Sequence, residues 1–253
     1  MKVSFLGTGT SQGVPVINCS CPVCNSLDYR DKRLRTSLLV QNDVSNVVID
    51  CGPDFRQQAL IKRIDRLDAV IFTHEHKDHV GGLDDIRPYN YHQQSDIPVF
   101  ASNRVIDHLK LEYPYIFAET KYPGMPRIKI IEMDGRPFEV GGIDFIPIQV
   151  MHHKLPVWGY RIKDFTYITD ANHIDKSEKQ KIAGSRILVL NALQIDSHIS
   201  HFNLEEAIAM VAELQPEVAY FTHISHRLGL HQEISKQLPE CIHLAYDGLT
   251  LDI

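Results

Sequence analysis

The segment His74-Glu75-His76-Lys77-Asp78-His79 packs imidazole and carboxylate side chains into one short stretch. These are the groups that bind zinc, manganese or iron. Two histidines at i and i+2, set in a tight turn after a strand, can grip one metal. Asp78 and His79 then face a second. Gly81-Gly82 follows and lets the backbone bend or start a helix close to the site. A polar surface loop could hold the same residue types, but this order of ligands argues for a metal centre.

The chain carries 14 histidines, several near aspartates, which keeps metal binding in front. It has five cysteines, three of them together as Cys19-Ser20-Cys21-Pro22-Val23-Cys24. An odd count at tight spacing does not suit a secreted disulfide framework and reads better as thiolate metal ligands. Cys51 and Cys241 stand apart and read as core residues.

The elements that must position these groups are short. Lys2 to Leu6 reads as a strand running into Gly7-Thr8-Gly9. Ser37 to Val40 and Asn46 to Asp50 read as a hairpin through Asn42-Asp43. Four further strand-like runs stop at a histidine or aspartate: Ala69 to Thr73 at His74, Ile143 to Met151 at His152-His153, Phe165 to Thr169 at Asp170, and Val218 to Thr222 at His223. If these strands adjoin, their ends converge on one rim, where binding residues commonly sit. Asn203 with Glu206 predicts a capped helix closed by Pro216. Asn103 to Leu111 and His231 to Leu238 are further helical segments. Mixed α and β with no linker or repeat predicts two sheets covered outside by helices, in one domain over residues 1–253.

At 253 residues, 43% hydrophobic and 23% charged, the chain can bury a core without disulfides. A formal charge of -6 argues against broad nucleic-acid or membrane affinity. No run is long and apolar enough for a membrane span, and none reads as a signal peptide, so a cytoplasmic protein is expected.

In order and type, the HxHxDH segment, His153, Asp170 and His223 resemble the metallo-β-lactamase superfamily, over nearly the whole chain. The resemblance implies an α/β protein of the αββα sandwich kind with two metals at one edge between the sheets. It implies that His74, His76 and His153 hold one metal, that Asp78, His79 and His223 hold the other, and that Asp170 bridges them. A shared carboxylate reduces repulsion between two dications, and the pair lowers the pKa of a shared water. His152 and His153 compete for one role. Related phosphodiesterases and tRNA-processing nucleases have a tyrosine of a Gly-Tyr pair seven positions after the histidine, and Gly159-Tyr160 has that spacing from His153.

The start, Phe5-Leu6-Gly7-Thr8-Gly9-Thr10-Ser11-Gln12-Gly13-Val14-Pro15, the C-x-C-x-x-C that follows, and Thr222-His223-Ile224-Ser225-His226 together resemble the PhnP family of cyclic-phosphate phosphodiesterases. That resemblance implies a structural zinc on Cys19, Cys21, Cys24 and His226, and Cys₃His is a closed tetrahedral set. It also carries over a general acid, His201, from the segment His201-Phe202-Asn203-Leu204, with His198 and His173 as competitors. His201, and Asp78 besides its ligand role, are thus the expected catalytic side chains.

The expected reaction is hydrolysis of a small, cyclic phosphodiester such as a ribose 1,2-cyclic phosphate. It would use two catalytic divalent metals, zinc or manganese, and one structural zinc. A lactonase, thioesterase or β-lactamase on the same scaffold is the first alternative, because fold does not fix function. An RNA-processing nuclease related to tRNase Z is the second, although no basic arm is visible. The resemblance also suggests a homodimer. Departures from the PhnP pattern concentrate between Arg87 and Pro126, the stretch expected to face substrate.

Overall fold

The computed structural model describes residues 1–119 and 123–253, so residues 120–122 of the expected substrate-facing stretch lie outside the described residues. Among the described residues, fourteen strands form two seven-stranded sheets. The first contains β1 (Lys2–Gly7), β2 (Ser37–Gln41), β3 (Asn46–Ile49), β4 (Ala69–Ile71), β5 (Ile97–Ala101) and β6 (Ile128–Glu132). The second contains β7 (Phe138–Val140), β8 (Ile143–His152), β9 (Leu155–Ile162), β10 (Phe165–Tyr167), β11 (Ile187–Asn191), β12 (Val218–Thr222) and β13 (Ile242–Leu244). The last strand, β14 (Thr250–Asp252), returns to pair with β1.

The central strands β2, β3, β4, β10 and β11 are buried on both faces, which explains their near-continuous apolar runs. Alternation along β2 to β4 sorts the side chains. Leu38, Val40, Val47, Ile49 and Ile71 meet Phe145, Tyr160 and Tyr167 of the other sheet. Leu39, Val48 and Val70 point outward beneath helices that bring Phe55, Val105 and Leu109. A third cluster sits under the other outer layer, where Leu188, Leu190 and Phe221 pack against Ala207 and Val211. The four layers are the expected αββα sandwich. Each fully buried aliphatic or aromatic side chain contributes roughly 1.5–3 kcal/mol before entropy is counted.

Strand direction places the site. β3 to β6 run parallel, as do β10 to β13. β8 and β10 are both antiparallel to β9, so β8 shares their direction. The C-terminal ends of β3, β4, β8, β10 and β12 therefore face one edge, the usual ligand-binding end of parallel strands. The hairpin between β2 and β3 forms as expected. Helix Leu204–Leu214 begins with a full capping box between Asn203 and Glu206. Helix Asn103–Glu112 forms, whereas only His231–Ser235 of the segment to Leu238 is helical.

Candidate metal centre

The turn after β4 lies directly on the loop after β3. A Cβ on Gly52 would meet the Asp78 carbonyl oxygen at 1.8 Å, and one on Gly82 would meet the Gly52 carbonyl oxygen at 2.1 Å. Two glycines thus let the short helix Lys77–Val80 press Asp78 and His79 into the edge between the sheets. Three residues here are non-glycines in the left-handed region: Asp50 (φ 62°), Asp170 (φ 52°) and His223 (φ 53°). Each follows a strand whose end the turn redirects into the site. Such strain persists only where the surroundings over-determine it.

Two groups of ligand-type side chains result. His74, His76, His152 and Asp170 form one, and Asp78, His79, Asp170 and His223 form the other, the ligand atoms of each lying within 4.8 Å of one another. The two oxygens of Asp170 divide between them. Oδ1 is 3.1 Å from His223 Nδ1 and 3.4 Å from His79 Nε2. Oδ2 is 3.8 Å from His74 Nε2 and 3.3 Å from His201 Nε2.

One expectation needs correction. His152, not His153, joins His74 and His76. Ile148, Val150 and His152 share one buried face of β8, the one beneath the outer helices, and the Ser200 carbonyl oxygen accepts from His152 Nδ1 at 2.7 Å, which leaves Nε2 for the cluster. His153 is exposed at φ 58°, in the two-residue turn to β9, and its amide donates to Asn172 Oδ1. The Gly159-Tyr160 spacing misled because Tyr160 answers to the core: its hydroxyl donates to the Phe72 carbonyl oxygen.

Asp50, which sequence reasoning missed, anchors the centre from below. His79 Nδ1 and the Thr73 hydroxyl both donate to Asp50 Oδ2, at 2.7 and 2.8 Å, while the Thr73 amide donates to Oδ1. His74 Nδ1 lies 2.9 Å from the Thr73 hydroxyl. The rings are thereby turned so that Nε2 of His74 and of His79 face the cluster. Both nitrogens are buried without a hydrogen-bond partner among the described residues. Burial of that kind is costly unless something fills the role, and a cation fits it.

The charges agree. Burial alone would lower the His79 pKa, but Asp170, Asp78 and Asp50 around it hold it well above the usual value. Burial, together with the neighbouring His79, pushes His74 well below. Burial would raise Asp170, yet His223 and His79 keep it well below the carboxylate range. The surrounding carboxylates thus favour positive charge at the ring nitrogens, holding on His79 a proton whose place a divalent metal would take.

His201 is buried beside Asp170, with its Nδ1 3.1 Å from the Ser200 hydroxyl and 3.2 Å from His198 Nδ1. His198 backs the His201 ring, and His173 is turned away to pair with Asp175 in solvent.

The cysteines meet His226 at the neighbouring rim. Its Nδ1 lies 3.3 Å from Cys19 Sγ, 3.4 Å from Cys21 Sγ and 3.6 Å from Cys24 Sγ. Ligand atoms on a tetrahedral zinc with bonds of ~2.1 and ~2.3 Å stand roughly 3.5 Å apart, so the set fits that ion. The Cys24 amide, donating to Cys21 Sγ, lowers that thiol to about 6. Cys51 is buried as expected, but Cys241 is exposed rather than a core residue. The loop between β1 and the cysteines is stitched to the His223 turn, because the Thr10 amide donates to the Ile224 carbonyl oxygen and the Ile224 amide to that of Thr8.

Comparison with known proteins agrees with this fold. A family model described as a beta-lactamase superfamily domain matches residues 45–224. The chain is 42% identical over 252 residues to an octanoyltransferase of Porphyromonas gingivalis, covering 98% of this chain and 51% of that protein. It therefore spans about half the length of that curated relative. The crystal structure of a diphosphatase from the PhnP family is 38% identical, with a TM-score of 0.93, covering 100% of this chain and 97% of that one. Zinc-bound PqqB from Methylobacterium extorquens superposes with a TM-score of 0.80 at 20% identity, a likeness of fold. No helix among the described residues is long and apolar enough to cross a membrane.

Proposed function

The chain belongs to the PhnP family of the metallo-β-lactamase superfamily, and we propose that it is a binuclear metal-dependent phosphodiesterase acting on a small phosphodiester, with cyclic esters such as ribose 1,2-cyclic phosphate in its range. The observation that carries this reading is the split carboxylate of Asp170, each oxygen turned to a different group of ligands. His74, His76 and His152 would hold one metal, Asp78, His79 and His223 the other, and Asp170 both. Such a pair supplies Lewis-acid polarisation of the phosphoryl group and hydroxide near neutral pH.

The chain's own part is positional. Asp50, Thr73 and the Ser200 carbonyl fix ring orientations before substrate arrives. His201 presents Nε2 at the edge of the cluster, where it can pass a proton to the departing oxygen, an alkoxide that leaves poorly unprotonated. Ser200 and His198 hold its other nitrogen. Cys19, Cys21, Cys24 and His226 would hold a structural zinc.

The test is a substrate panel. Purified protein supplied with manganese or zinc should cleave bis-p-nitrophenyl phosphate and a ribose 1,2-cyclic phosphate, with little turnover of phosphomonoesters. Activity confined to lactones or thioesters would overturn the proposal. The relative named octanoyltransferase gives the thioester reading a specific footing, so an octanoyl thioester belongs in the panel. Against it stands the 51% share: about half of that relative lies outside the match and can carry the acyl transfer.

A further inference from the structure

A cavity of about 580 Å³ lies where β1, residues 29–34, the helix Phe55–Lys62 and the turn before β14 come together. None of the proposed metal ligands lines it. Its size and its mainly apolar lining with a few polar groups are those of a small-molecule site. Phe5, Leu6, Val14 and Leu34 supply wall. Tyr29 and Ile61, 65% and 67% exposed, stand where it opens to solvent.

The polar groups are of two kinds. Gln58 and Asp247 offer acceptors. Gln58 Nε2 donates to the Arg35 carbonyl oxygen at 2.8 Å, which fixes the amide's orientation, and Oε1 is buried without a hydrogen-bond partner among the described residues. A buried acceptor left unpaired is costly, and a donor carried by a ligand would satisfy it. Asp247, the single acid of the lining, takes the Thr8 hydroxyl on one oxygen and the Leu34 amide on the other, with lone pairs to spare. Lys32 and Lys62 are the donors. Lys32 gives a hydrogen to the Cys24 carbonyl oxygen and Lys62 one to the Thr250 hydroxyl, neither in an ion pair among the described residues, so each ammonium keeps hydrogens for a ligand. Burial and the neighbouring Lys2 hold Lys62 below the usual lysine range, a strain that an anion beside it would relieve.

We propose that this cavity binds a nucleoside phosphate, with the flat base against the apolar walls, its N–H edge toward Gln58 and Asp247, and its phosphate on Lys32 and Lys62. A plain alkyl acid would leave Gln58 unpaired, and an uncharged heterocycle would leave the two lysines without an anion. A base and a phosphate on one molecule answer both. Tyr29 offers aromatic surface on which a base can stack. The site is separate from the metal centre and does not depend on the reaction there.

Calorimetry on the metal-loaded full chain tests this with the 5′-monophosphates of adenosine, guanosine, cytidine and uridine. At least one should bind, and its parent nucleoside should bind about tenfold more weakly, the value of a hydrogen bond to a charged group. Lys62→Ala should weaken that nucleotide by about tenfold as well, and Lys62→Arg should restore it. Ile61→Asp, a change at an exposed position that sets a like charge against the phosphate, should also weaken it. Lys62→Ala should leave turnover of bis-p-nitrophenyl phosphate unchanged. His152→Ala, which disturbs the metal centre, should leave nucleotide affinity as it is. The opposite pattern, with affinity lost in His152→Ala and kept in Lys62→Ala, would place the nucleotide at the metal centre and overturn the inference. Binding by none of the four, or equal affinity for nucleotide and nucleoside, would overturn it too.

Discussion

His79 Nδ1 lies 2.7 Å from Asp50 Oδ2, and neither side chain is exposed. One residue follows β3 and the other sits in the helix after β4, so two adjacent parallel strands of the first sheet meet in this contact. It fixes which nitrogen of His79 is left for the cluster, and Thr73 extends the same control to His74.

The first prediction concerns that carboxylate. Asp50→Asn keeps its size but removes the charge that orients His79. Affinity for catalytic metal should fall by about 10–100-fold, the usual cost of losing such a support. Competition with a chromogenic chelator measures it, and the Cys₃His zinc, held elsewhere, should be retained. Unchanged metal affinity would mean that Asp50 serves the fold alone.

Adjacent histidines give a second, sharper contrast. His152→Ala should lose about one catalytic metal per chain and nearly all turnover. His153→Ala removes an exposed turn residue and should keep the metal count. Elemental analysis of the two variants decides between them, and the opposite pattern would reinstate His153.

The difference between these neighbours shows what was legible in the sequence. Four strand ends bearing histidine or aspartate were visible, and all converge, because ligand chemistry forces polar residues onto otherwise apolar runs. The capping box at Asn203 and Glu206 was equally plain, being local. His152 needed the period-two alternation through Ile148 and Val150, which outranks a distant Gly-Tyr spacing. Asp50 carried the same strand-end signal as the others but reads as a hairpin terminus until β3 and β4 are known to pair. The encounter of His226 with the cysteines depends on packing between segments some 200 residues apart, which only the family resemblance supplied.

A third prediction tests the thiolate site. Cys21→Ser removes the thiol that ionises most readily, lowered to about 6 by the Cys24 amide. The variant should carry about one zinc fewer per chain. It should melt roughly 5–10 °C lower, because a structural zinc contributes to folding directly and a few kcal/mol moves a chain of this size by that much. Equal zinc in variant and wild type would remove the structural-zinc assignment.

Asp247 supplies a pH dependence remote from the catalytic cluster. Burial pushes its carboxyl up to about 6, only partly offset by the Leu34 amide, the Thr8 hydroxyl and the Arg33 guanidinium. The folded protein thus holds this proton more tightly than the unfolded chain, whose aspartate titrates near 4. The stability it contributes is full below pH ~4 and lost as pH rises through about 6. Asp247→Asn removes that loss. Relative to wild type, the variant should gain on the order of 2–3 kcal/mol between pH 4 and pH 7. Urea unfolding of both proteins at the two pH values measures it. A difference that does not change with pH would show that Asp247 titrates normally.

The last prediction separates proton delivery from metal binding. His201 Nε2 stands 3.3 Å from Asp170 Oδ2, close enough to serve the same substrate, while its other nitrogen is engaged by Ser200 and His198. If it protonates the departing oxygen, its worth depends on the leaving group. A p-nitrophenolate leaves without help, whereas an alkoxide requires a proton. His201→Ala should therefore cost an alkyl diester about 10²–10⁴-fold in kcat and an aryl diester far less. Metal content should be unchanged, which distinguishes this from damage to the cluster. Equal losses on both esters, or loss of metal, would place His201 among the groups that build the centre rather than the one that delivers the proton.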